Sequence, residues 1–208
     1  MPADDPLAEA LLSDSAYERL RAREFGVLKR ALHEKLAWQS YLLLALAALL
    51  PLAAFLPPGV RERYLADAAL ASPRWTVLGV VAVTIVWLTG LGHAGVAIRA
   101  LRVGPSLSEV QAHELVSLEN VCSLLGFGTA GVATLLTYAF FGLGFGGLDL
   151  IAAYAALGAN PFEPVSYGVP IGTLAIVAMV GAVVLKFLSA FVYVESLRRD
   201  VPAVRGGY

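Results

Sequence analysis

Four long apolar stretches, each bounded by charge, constrain this chain more than any other feature. Residues 36–60 lie between Lys35 and Arg61, and 75–98 between Arg74 and Arg99. Residues 120–148 lie between Glu119 and Asp149, and 164–194 are interrupted only by Lys186. Each supplies the ~20 predominantly apolar residues an α-helix needs to cross a bilayer core. With no water in that core, backbone groups must bond within their own segment, so the stretches are expected to be helices. The expected fold is therefore all-α: an integral membrane four-helix transmembrane bundle with cytoplasmic N- and C-termini and amphipathic interfacial helices. Residues 1–35 form the cytoplasmic amphipathic segment, 36–198 the membrane domain and 199–208 a short cytoplasmic tail. The spans are expected at about 37–57, 75–98, 120–146 and 169–194.

Composition agrees. The chain is 58% hydrophobic and 15% charged, against ~25% charged in an ordinary soluble domain. A net charge of −1 offers no basic surface for nucleic acid. With Cys122 the single cysteine, there is neither an intrachain disulfide nor a Cys-rich metal site. Twelve Arg against three Lys, in an Ala-rich chain, suggest a GC-rich, prokaryotic source. The first 35 residues are charged and lack the short apolar run of a cleavable signal, so the first apolar segment reads as a retained signal anchor.

Lys and Arg counts set the expected orientation. The N-terminal region carries six, the second connection Arg99 and Arg102, and the tail Arg198, Arg199 and Arg205. The first connection has Arg61, Arg63 and Arg74, and the third has none. Placing both termini in the cytoplasm puts eleven inside against three outside, as the positive-inside rule requires. Trp38, Trp75, Tyr167 and Tyr193 fall near helix ends, where amphipathic rings prefer the headgroup layer.

Within this frame, Ser15 and Glu18 form a capping-box pattern, and Phe25, Leu28, Leu32 and Leu36 recur at helical spacing. That pattern fits a helix lying on the membrane, or packed against the protein's own second connection or a partner subunit. Pro51 is expected to kink the first span and Pro57-Pro58-Gly59 to end it. A short helix is expected over 64–70, another over 150–157, and a helix in the second connection leading to Glu119. His33-Glu34 and His113-Glu114 each precede an outward-going span, but the halves match poorly otherwise, so a repeat is not supported. Two G-x-G-x-x-G strings, 90–95 and 126–131, follow no strand and are not nucleotide sites. Their glycines are expected to let helices approach closely, with spans 2 and 3 the tight pair. The glycine run 142–147 is expected to loosen or end span 3.

Lys186, His93, Glu119 and Asn120 are the candidate ligand- or ion-binding residues. Lys186 lies nine residues before Glu195, about 13 Å deeper along a helix, and intramembrane charges usually face a bundle interior or a watery cavity. By depth its partner would be Glu119, with Asn120 alongside. His93 is suited to proton relay or to a helix–helix hydrogen bond. Haem is not expected, because a second intramembrane histidine is missing. Gln39, Ser40, Thr89, Ser123 and Ser189 also map to the cytoplasmic half, which suggests a polar pocket opening to the cytoplasm. Four helices packed around hydrogen-bonded side chains would give the same pattern. Cys122 has no evident activating partner and reads as packing.

No motif names a reaction, so no catalytic residue, metal site or cofactor is assigned. The composition points to a non-enzymatic accessory, scaffold or binding subunit in the cell membrane. Its partners would be the lipid bilayer and either a second copy or another membrane subunit, with no nucleic acid. A small transporter or channel component built on the polar cluster is the alternative, and an intramembrane enzyme the second.

Overall fold

The computed structural model describes residues 16–23, 30–103 and 106–200. Among these the chain is helical and contains no strand, with an isolated antiparallel bridge joining Pro73 to Pro164. In order, the helices are α1 (Ala16–Arg23), α2 (Leu32–Ala53), α3 (Pro58–Tyr64), α4 (Thr76–Val103) and α5 (Glu109–Ser123). A π-helical segment, Leu124–Thr129, continues α5 into α6 (Ala130–Gly142). A 3-10 turn, Leu143–Gly146, then leads to α7 (Gly147–Ala155), and α8 (Ile171–Asp200) closes the chain. Four of the resulting helices, α2, α4, the continuous run Glu109–Ala155 and α8, are long and apolar enough to cross a membrane. Their outward faces carry Leu88, Leu135, Ile176 and Phe187, each at least 66% exposed. Apolar exposure of this kind suits a lipid solvent and not water.

Several boundaries differ from the sequence expectation. Helix α2 starts at Leu32, so Lys35 belongs to its first turns and is not a flank. Pro51 lies in the last turn of α2, where its lack of an N–H leaves one carbonyl of the preceding turn without its helical donor; 3-10-type bonds from Ala54 and Phe55 then close the helix. The short helix of the first connection covers Pro58–Tyr64, with Pro58 at its start, and the chain turns through 66–70 where a helix was expected. The second connection shortens, because α5 and α6 form one helix through the π segment. Ser108 and Gln111 supply the capping box that opens α5. Gly147 adopts φ +77° between the 3-10 turn and α7, a conformation that glycine reaches without a Cβ clash. The expected capping box at Ser15 and Glu18, and the amphipathic stretch through Phe25 and Leu28, lie outside the described residues.

Helices α2 and α8 make the most extensive contact, and α4 packs on α2, α6 and α8. The glycine strings had suggested spans 2 and 3 as the tight pair, and α4 does pack along α5, the π segment and α6 of the third run. Those glycines do admit close neighbours. A Cβ on Gly90 would lie 2.7 Å from Leu185, and one on Gly92 2.5 Å from Cys122. Leu36, Leu43, Leu46, Leu49, Ala82, Val86 and Leu185 fill the space between the helices, each at 0% exposure.

The end of the molecule away from α1 is a knitted cap. Backbone bonds run from Arg74 N to Glu163 O (3.0 Å), Trp75 N to Pro161 O (3.2 Å) and Val165 N to Ser72 O (3.1 Å). Ile171 N and Gly172 N donate to Ala71 O and Ala69 O. Trp75 stacks edge-on against Phe141 at 5.5 Å, and Phe162 lies 5.8 Å from Tyr64. Asn160 anchors its own turn through the Phe162 N–H and reaches Tyr64 Oη at 3.1 Å.

Candidate functional site

Three helices each carry two polar residues four apart: Lys35 and Gln39 on α2, Thr89 and His93 on α4, Glu119 and Ser123 on α5. A spacing of four places both members on one helical face. All three faces turn inward, and exposures of the six residues run from 0% at Gln39 and His93 to 4% at Thr89.

Together with Tyr17 from α1, these side chains form one hydrogen-bonded chain. Tyr17 Oη donates to Glu119 Oε2. Lys35 Nζ sits 2.7 Å from Glu119 Oε1 and donates to Ser123 Oγ at 2.9 Å. His93 Nε2 lies 3.1 Å from Ser123 Oγ, and His93 Nδ1 3.1 Å from Gln39 Oε1. Gln39 Nε2 then donates to Thr89 Oγ1 at 2.9 Å. The link therefore runs from α1 through α5 and α2 to α4.

Donor counting fixes the internal orientations. Thr89 gives its proton to the Ile85 carbonyl at 2.7 Å, so its oxygen accepts and Gln39 must present its NH₂ there. That leaves Gln39 Oε1 facing His93 Nδ1, which must carry a proton to bond it. Ser123 has one proton and two acceptors, the Glu119 carbonyl at 2.7 Å and His93 Nε2. Lys35 and Glu119 neutralise each other where an unpaired charge would be costly.

Gly126 belongs to this arrangement although it has no side chain. A Cβ there would lie 2.5 Å from Gln39 Nε2 and 2.7 Å from Thr89 Oγ1. The π segment that contains it brings the third apolar run against the Gln39–Thr89 bond. π-bulges of this kind often mark places where packing overrides regular helix geometry.

The four sequence candidates separate. His93 and Glu119 join the buried chain, linked through Ser123 and Lys35. Asn120 is half-buried on α5 beside Glu119. Lys186 is exposed on α8, where it donates to Tyr41 Oη at 3.0 Å and sits 4.6 Å over the Tyr41 ring. The partner that depth had suggested for Lys186, Glu119, is bonded instead to Lys35. Sequence reading had treated Lys35 as a membrane flank and passed over Tyr17. The signal that could have found the site was the three i, i+4 polar pairs.

Chemically, the chain contains an amine, a carboxylate, an imidazole and a phenol. Among the described residues no group of three or more His, Cys, Asp or Glu side chains is placed to hold a metal. Compared with family models, with curated proteins and with solved structures, the chain matches none of them.

Proposed function

We propose that this chain is a multi-pass membrane protein that acts without catalysis, as an accessory, scaffold or binding subunit. In this reading its four apolar helices cross the plasma membrane of a prokaryote as a bundle with both termini in the cytoplasm. The Lys and Arg distribution supports that orientation. The observation that carries the reading is the sealing of the polar chain. Lys35, Glu119 and His93 are at most 2% exposed, and each is bonded to another side chain. Groups held this way specify which helices pack together and in what register, and they anchor α1 at the mouth of the bundle. A substrate-handling site would instead leave its charged groups reachable from water.

Purification in mild detergent tests this reading. A stable oligomer or a co-purifying membrane subunit is the expected result, and a lone monomer that recruits nothing on reconstitution would sink it.

A transporter reading draws on one specific observation, the unbroken run of exchangeable protons from Tyr17 to His93. It expects His93→Ala to abolish a proton-coupled flux while the protein stays folded in the membrane. The scaffold reading expects that substitution to lower the amount of folded protein and to affect no flux.

A further inference from the structure

Lys186 is a cation in the middle of an apolar helix, and it faces outward. Its interactions are with Tyr41 alone, through the hydroxyl and the ring face, and among the described residues no carboxylate pairs with it. A lysine at this depth is costly in hydrocarbon unless an anion or water reaches it. The structure supplies a route. Lys186 lines a groove of about 410 Å³ between α2 and α8, which it shares with Arg30, His33, Glu34, Trp38 and Tyr193.

The groove has the chemistry of a lipid headgroup site. Arg30 lies over the Trp38 ring at 5.1 Å, and His33 packs on Tyr193 at 5.0 Å. Two aromatic residues that favour the interface, Trp38 and Tyr193, thus flank Arg30 and His33. Lys186 faces this groove with no described carboxylate bonded to it, so its charge is open to a single negative group. A phosphodiester is such a group. Below the groove, Val183 (47% exposed) and Phe187 (73%) present apolar surface for acyl chains. Basic pockets between helices on the cytoplasmic side are suited to anionic headgroups.

We infer that this groove binds one anionic phospholipid, its phosphate between Lys186 and Arg30 and its acyl chains along the outward face of α8. The bound phosphate is the counter-ion that lets Lys186 reside in the span. The site is independent of the buried polar chain and of whichever subunit the protein serves.

The test uses the full chain, delipidated in mild detergent and titrated with single lipids under native mass spectrometry. Phosphatidylglycerol is expected to bind at one site at least fivefold tighter than phosphatidylcholine. Lys186→Met is expected to weaken phosphatidylglycerol about fivefold, the worth of one cation near an anionic headgroup. Lys186→Arg is expected to keep the preference. If Lys186→Met does not fold, Arg30→Gln takes its place, with the same loss expected. Equal binding of the two lipids to the wild type, or an unchanged preference in the neutralised variant, would overturn the inference. Displacement of the lipid by millimolar inorganic phosphate would also overturn it, because the site would then belong to a free anion.

Discussion

The two ends of this molecule are held together by different means. At the end that gathers the first turns of α2, the second half of α4 and the last turns of α5, the helices are joined by side chains. Tyr17, Glu119, Lys35, Ser123, His93, Gln39 and Thr89 each bond the next. At the opposite end, two connections are laced by backbone N–H and C=O groups and covered by Trp75, Phe141 and Phe162. A backbone bond survives most substitutions, whereas a side-chain bond needs one residue type in one rotamer. The polar end should therefore tolerate little change and the cap much more. The polar end also fixes register, because a rotation of α2, α4 or α5 breaks at least three of these bonds at once.

The largest effect is expected at the ion pair. Lys35→Met leaves Glu119 buried without its cation and should cost about 3–5 kcal/mol, read as a lowered midpoint in denaturant titration of the detergent-solubilised protein. The double variant Lys35→Met/Glu119→Leu should recover most of that loss. If the single variant were as stable as wild type, the polar end would not be what holds these helices.

Next in size is Tyr17→Phe, which removes a hydrogen bond to a charged carboxylate worth about 1.5–3 kcal/mol. Because α1 packs on α5, limited proteolysis should cut within α1 faster in the variant, while the four long helices stay protected. Unchanged cleavage would mean that α1 is held by apolar contact alone.

Gly126→Ala should cost about 1–3 kcal/mol, because the new methyl overlaps Gln39 and Thr89. Gly131→Ala is its control, since a Cβ there meets nothing within 4 Å. Equal thermal midpoints for the two variants would show that the π segment does not press on the polar chain.

The smallest loss, about 1 kcal/mol or less, is expected in the cap. Asn160→Ala removes one turn bond and one contact to Tyr64 while the backbone lacing remains. A loss as large as that of Lys35→Met would erase the contrast between the two ends.

How much of this was readable in advance differs along the chain. The apolar runs were plain, because a span is a matter of length and hydropathy. The pause in the third run was visible in the glycines of 142–147, and α7 in the apolar stretch after them. The joining of α5 to α6 was hidden, since Glu119 and Asn120 look like a boundary when charge is expected to face water. Lys35 misled in the same way. A lysine beside an apolar run reads as a flank, and only its partner across 84 residues shows that it lies inside. Lys186 misled in the opposite direction. It looked like an interior charge because it stands alone in its span, yet it lies on the outer surface against Tyr41.

The amino-acid sequence alone determined that this chain is helical, with four segments apolar enough to cross a membrane, because those properties are local sums over about 20 residues. It also held the polar pairs at helical spacing, which decide which face each helix can bury. Only the tertiary structure decided which pairs meet: that Glu119 takes Lys35 and not Lys186, and that His93 reaches both Gln39 and Ser123. The physical reason is that partner choice depends on the rotation and crossing of separate helices. A hydrogen bond over 3 Å is sensitive to both, while hydropathy along one helix records neither.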